Sequence, residues 1–175
     1  TANNISTIPS EMTRMGRFDG FFFVPLPNLE GRKAIFEIHA RRTIPPNVLS
    51  AAARDRLARE IFTGARNAEA IRMSTGAELA PALGEAVILY LSLGGAAAGG
   101  EAAWAGIDPA CRAEALSYGA GDELMAGCLL ESFGAMKSMY SNRREYDNYL
   151  RLQEFGKGRS LPVGEFEKNE RDVYL

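Results

Sequence analysis

The chain has 175 residues, 46% of them hydrophobic and 24% charged, the balance of an ordinary globular protein with apolar material for one core. Twenty Lys and Arg against 22 Asp and Glu give a net charge of -2, which argues against nucleic acid or an anionic membrane as partners held by bulk charge. Two cysteines, Cys111 and Cys128, and one histidine, His39, exclude a disulfide-dense scaffold and a Cys/His zinc site, so no metal site is expected.

The chain opens at Thr1 without an initiator Met, in a segment that reads as the end of a strand, so a processed or partial chain is expected. Pro9 to Met15 fits one or two helical turns ended by Gly16, and Phe21-Phe22-Phe23-Val24, stopped by Pro25-Leu26-Pro27, reads as a short buried strand. Asn28 is placed to cap a helix from Leu29 to about Arg42, with Glu30 in its first turn and Arg41 and Arg42 in its last. Thr43-Ile44-Pro45-Pro46 ends it. Ser50 caps a second helix, Ala51 to about Ile61, which Phe62-Thr63-Gly64-Ala65 interrupts before a third runs on to about Thr75.

Thr75 with Glu78 forms a capping-box pattern for a fourth helix, and Leu79, Leu83, Val87, Tyr90 and Leu91 share one of its faces. Leu79 to Leu93 is therefore expected to be the core. The uncharged run Ala86 to Gly100 has 15 residues, short of the ~20 a membrane-spanning helix needs. Gly94 to Gly100 is low in complexity, and Asp108-Pro109 starts an added helix within Trp104 to Leu116. Residues 94 to 136 carry Glu101, Asp108, Glu114, Asp122, Glu123 and Glu131 against Arg112 alone, the mark of an acidic insert. A helix follows from Asp122 to Phe133, and Ser141 caps a last one, Asn142 to Phe155, ending at Gly156. The tail from Lys157 to Leu175 has no helical period and is expected to lie across a surface. Arg143 and Arg144 with Tyr140, Tyr146 and Tyr149 mix basic and aromatic residues as single-strand binders do. Glu145, Asp147 and Glu154 cancel that charge, leaving an amphipathic helix.

The chemistry-bearing stretch is Thr1-Ala2-Asn3-Asn4 followed by Arg14-Met15-Gly16-Arg17-Phe18-Asp19. Two rigid planar cations three residues apart, beside a Gly turn, suit a phosphate. The plainer reading is a pair of surface salt bridges with Glu11 and Asp19.

Those residues, with Val24-Pro25-Leu26-Pro27-Asn28-Leu29-Glu30-Gly31-Arg32-Lys33-Ala34-Ile35-Phe36-Glu37-Ile38-His39, resemble the second region of homology of AAA ATPases over residues 1 to 42. The resemblance implies that Asn3 is the sensor orienting the attacking water at the γ-phosphate. It implies that Arg14 and Arg17 are arginine fingers acting in a neighbouring subunit's ATP site. His39 corresponds to the histidine at the base of the family's lid, near ribose and adenine. The lid's Gly-Phe-Ser-Gly-Ala-acid motif falls by spacing on Phe62-Thr63-Gly64-Ala65, so Gly64 and Ala65 are the expected nucleotide contacts. Ile61 and Arg66 depart from the motif there, and Ser74-Thr75-Gly76-Ala77-Glu78-Leu79 matches the residue pattern better but lies twelve positions later. Spacing favours Gly64 and Ala65.

The wording is most similar to the cyanobacterial and plastid members called hypothetical chloroplast reading frames, with the membrane AAA proteases next. No His-Glu-x-x-His motif is present. No phosphate-binding loop, Gly-x-x-x-x-Gly-Lys-Ser/Thr, and no following Mg-binding strand acid occur either, so ATP and Mg are expected only with a phosphate-binding half supplied from elsewhere.

The fold class expected is mostly α. Residues 1–28 are the end of a AAA+ P-loop α/β domain with one or two short strands, 29–93 a helical lid, 94–128 the acidic insert, and 129–175 a C-terminal helix with extended tail. The implied function is a AAA ATPase-derived chain supplying sensor and arginine-finger elements for ATP-driven remodelling, incomplete for catalysis by itself. The alternative is a non-catalytic subunit of a larger organellar complex, photosynthetic or respiratory. Implied partners are protein subunits, in a homo-oligomeric ring or a multi-subunit complex, with no nucleic acid and no membrane span. The implied compartment is the chloroplast or the cyanobacterial cytoplasm, with the mitochondrion as the other choice.

Overall fold

A computed structural model describes residues 8–12, 17, 22–95 and 104–157. Its architecture is helical: α1 (Leu29–Thr43), α2 (Ala51–Thr63), α3 (Ala68–Arg72), α4 (Gly76–Ser92), α5 (Pro109–Ala115), α6 (Glu123–Ala135) and α7 (Arg143–Lys157). Short 3-10 turns at Leu116–Tyr118 and Met139–Ser141 precede α6 and α7.

Local chemistry sets most helix starts. The Asn28 side chain accepts the Gly31 N–H at 2.8 Å and opens α1, and the Ser50 hydroxyl accepts the Ala53 N–H at 3.2 Å to open α2. Thr75 and Glu78 complete the capping box of α4, the Thr75 N–H donating to Glu78 Oε2 at 2.8 Å. Asp108 accepts the Ala110 N–H at 2.8 Å with Pro109 at the first helical position of α5. At α7 the capping oxygen belongs to Asn142, one residue beyond the expected Ser141, and accepts the Arg144 N–H at 3.0 Å.

The core is built where α4 and α6 pack together, flanked by α1, α2 and α5. Phe36 on α1, Phe62 on α2 and Phe133 on α6 meet edge to face, with ring centroids 5.9, 5.8 and 6.1 Å apart, a favoured arrangement for aromatic pairs. Burying each ring contributes about 1.5–3 kcal/mol. Met125 through Leu130 of α6 are all buried, so α6 is enclosed on every side, as a central helix must be when it is apolar all round. Gly127 allows this: a Cβ there would stand 2.9 Å from the Trp104 ring.

Several expectations change. Among the described residues no strand forms. The expected strand survives only as Phe22–Val24, which joins no sheet, with Phe22 and Val24 exposed and Phe23 half-buried. A strand needs a hydrogen-bonding neighbour, and none of the described residues supplies one. Leu91 is 66% exposed although Leu79, Leu83 and Tyr90 are buried; five apolar positions on one face overestimate the arc that α1 and α6 cover. The acidic stretch, over residues 104–128, adds Ile107, Cys111, Ala115, Met125 and Cys128 to the same core that α4 occupies. Residues 158–175 of the expected tail, and the Gly/Ala run at 96–100, lie outside the described residues.

Candidate functional site

The sequence-expected residues separate into two places. Asn3 and Arg14 lie outside the described residues, and Arg17 is exposed. His39 is half-buried on α1, its carbonyl accepting the Thr43 hydroxyl at 2.7 Å. Gly64 and Ala65 line a pocket of about 210 Å³ between the end of α2, α3, α5 and α6, and His39 takes no part in it.

That pocket has an apolar floor of Ile61, Ile71, Leu130 and Phe133 and a rim of Glu60, Arg66 and Glu114. Arg66 bridges to Glu114 Oε2 at 3.2 Å. Glu60 is held twice, by Arg56 Nε donating to Oε1 at 2.8 Å and by the Tyr118 hydroxyl donating to Oε2. Arg56 also lies 4.2 Å above the Tyr118 ring centroid and donates to the Ser117 carbonyl at 3.0 Å. Burial, then the Glu60 carboxylate, pushes the Tyr118 phenol upward, so it stays a neutral donor. The i,i+4 pair Arg56–Glu60 is visible in sequence; its joining to Tyr118, and Arg66 to Glu114 48 residues on, carries no local signal.

Gly64 does not open a helix. It caps the C-terminus of α2, its N–H donating to the Glu60 carbonyl at 2.9 Å, and a Cβ on it would come within 2.5 Å of that carbonyl oxygen. Helix α3 begins only at Ala68, after Asn67 with φ 51°. Gly76 and Ala77 instead form the first turn of the 17-residue α4. A Cβ on Gly76 would lie 3.8 Å from Cγ2 of Ile35, and Ile35 is one turn before His39 on α1, on the same face. Of the two Gly-Ala pairs, Gly76-Ala77 is the one at a helix start, beside Ile35 of α1.

Other chemistry is quiet. Burial pushes the thiols of Cys111 and Cys128 up to about 12, which makes them inert apolar residues rather than nucleophiles. Among the described residues no group of three or more His, Cys, Asp or Glu could hold a metal ion. None of the helices among them is long and apolar enough to cross a membrane. Tyr140 and Tyr146, which sequence places beside basic residues, pack against Tyr149 at 5.4 and 6.4 Å between centroids rather than standing apart as stacking platforms.

Comparison with known proteins finds relatives for one stretch of the chain. Over 45 residues, 26% of this chain, the sequence is 53% identical to the AAA domain-containing protein ycf46 of Pyropia yezoensis. Over that stretch the chain is similar to AAA domain-containing proteins. The corresponding proteins of Trieres chinensis and Guillardia theta are 53% and 49% identical over matches of the same length. These relatives are plastid reading frames, and each match takes in only 9% of the relative, so the chain aligns with a small part of the curated relatives' length. No family model matches the chain and no solved structure matches it.

Proposed function

We propose that this chain is derived from a AAA ATPase and contributes Asn3 as sensor and Arg14 and Arg17 as arginine fingers to an ATP-driven remodelling assembly. The observation that carries the reading is the 53% identity over 45 residues to a AAA domain-containing protein, together with Asn3, Arg14 and Arg17 at the family's spacing. Arg17 is exposed, as a group reaching into a neighbour's site must be. The partner is then another protein subunit, in a ring of identical chains or a mixed complex. The plastid relatives support a chloroplast or cyanobacterial setting and leave the mitochondrion without support.

ATP and Mg fit the described residues only in part. The pocket at Gly64 and Ala65 holds about 210 Å³, below the ~300–1,000 Å³ typical of ligand sites, and its rim Arg66 is already paired with Glu114. The helix start at Gly76 and Ala77, beside Ile35 of α1, has the small backbone that lets a base edge approach. The lid contact with nucleotide falls at Gly64 and Ala65 by spacing or at Gly76 and Ala77 by residue pattern, with His39 at the base of the lid. When bound, ATP with Mg would supply the phosphoryl group whose transfer drives remodelling, and this chain would supply positive charge and orientation.

The departure of Ile61 and Arg66 from the lid motif favours the second reading, a non-catalytic subunit of a larger organellar complex. One experiment separates the two. In the native assembly recovered through a tag on this chain, R17A is expected to abolish ATP turnover and leave nucleotide binding nearly unchanged. An unaffected rate would sink the enzymatic reading. The 175-residue chain alone is expected to show no turnover.

A further inference from the structure

The two positions where the sequence departs from the lid motif, Ile61 and Arg66, both line the pocket of about 210 Å³ beside Gly64 and Ala65. Ile61 joins Ile71, Leu130 and Phe133 in its apolar floor, each of them buried. A cavity of about 150 Å³ lined by such side chains holds a benzene ring. This one therefore admits a single side chain of leucine or phenylalanine size.

The rim carries the opposite chemistry. Glu60 is fully engaged, one oxygen accepting from Arg56 and the other from Tyr118. Arg66 and Glu114 are joined by a single contact, Nη2 to Oε2 at 3.2 Å, and their side chains are 36% and 37% exposed. A guanidinium has five donors and a carboxylate two oxygens, so among the described residues the remaining donors of Arg66 and Oε1 of Glu114 are open to a ligand. Gly134 makes room for the arginine. A Cβ there would stand 3.1 Å from Arg66 Cδ, so its absence lets the stem lie across α6 and keeps the cation at the rim. A half-exposed pair of this kind contributes little to stability, and loosening it to admit a ligand costs correspondingly little.

A cation and an anion side by side over an apolar hollow match a molecule that carries both charges on one carbon, with an apolar side chain below. We propose that the pocket binds a free α-amino acid with a side chain of leucine or phenylalanine size. Its carboxylate accepts from Arg66, its ammonium donates to Glu114, and its side chain fills the space over Ile61, Ile71, Leu130 and Phe133. The planar fork of Arg66 suits a carboxylate. A peptide terminus offers one of the two charges beside its side chain, whereas a free amino acid offers both. Neither Asn3, Arg14 nor Arg17 takes part, so the site stands or falls independently of the arginine-finger reading.

Methyl NMR on the 175-residue chain tests the site. L-leucine is expected to shift the methyl signals of Ile61, Ile71 and Leu130 saturably and to leave that of Ile88, exposed on α4, unchanged. Isocaproate lacks the ammonium, isoamylamine lacks the carboxylate and glycine lacks the side chain. Each is expected to bind at least about tenfold more weakly, through the loss of a charge-assisted hydrogen bond or of the buried apolar group. R66Q and E114Q are each expected to weaken L-leucine by a similar factor while the urea midpoint stays nearly unchanged. The absence of a saturable shift with L-leucine and L-phenylalanine up to about 10 mM overturns the site. Isocaproate or isoamylamine binding as well as L-leucine overturns the two-charge head. Undiminished binding in both R66Q and E114Q overturns the role of the rim. Shifts of the same methyls by Mg-ATP and none by L-leucine overturn the amino-acid reading in favour of a nucleotide contact.

Discussion

Asn67 ties the start of α3 to the end of α6 by donating its side-chain amide to the Met136 carbonyl at 2.6 Å. The same nitrogen reaches the Phe133 carbonyl at 2.9 Å. Two carbonyls at a helix C-terminus, which have no partner within the helix, are thereby satisfied. Asn67 itself stands at φ 51°, a region Asn tolerates better than residues that cannot bond locally. N67A is expected to cost about 2–3 kcal/mol, from two lost hydrogen bonds and left-handed strain. N67G removes the bonds without the strain and is expected to cost less. Urea unfolding midpoints of the two variants check both.

Ser50 and Asp122 form a second long-range clamp. Asp122 accepts the Ser50 N–H and the Ser50 hydroxyl, each at 2.7 Å, so the cap of α2 is itself held by the residue before α6. S50A and D122A are each expected to lose about 1–3 kcal/mol, with a coupling of roughly 0.5–3 kcal/mol in the double-mutant cycle. Additive losses would show that the two residues act independently.

The two glycine pairs give opposite expectations. G64A places a Cβ 2.5 Å from the Glu60 carbonyl oxygen, and is expected to destabilise by about 1–3 kcal/mol through overpacking. G76A meets nothing closer than 3.8 Å and is expected to be neutral, or to stabilise by up to about 1 kcal/mol as alanine replaces glycine in a helix. Differential scanning calorimetry on both variants reads the contrast.

Alkaline pH is expected to destabilise the fold through its buried thiols. Burial raises Cys111 and Cys128 to about 12, above the ~8.5 of an unfolded cysteine. The folded state therefore keeps protons that the unfolded state gives up. Their contribution is fully present below about pH 8.5 and is lost as pH rises from there through about 12. The double variant C111A/C128A is expected to show a shallower fall in stability over that range. In the native protein, both thiols are expected to resist Ellman's reagent at pH 8 until denaturant is added.

What could be read from the sequence alone was whatever depends on neighbours a few residues apart. The caps at Asn28, Ser50, Thr75 with Glu78, and Asp108-Pro109 close hydrogen bonds within three residues, so residue type and spacing suffice to place them. The AAA resemblance at the start of the chain is local in the same sense.

The tertiary structure decided everything that needs two distant segments. It packed Phe23 against Tyr149, exposed Leu91, and drew the acidic stretch at 104–128 into the core. It also set Gly64 at a helix end and Gly76 at a helix start beside α1. The reason is physical: burial and hydrogen-bond satisfaction depend on which surfaces meet, and a helical period of 3.6 residues marks an apolar face without naming what covers it.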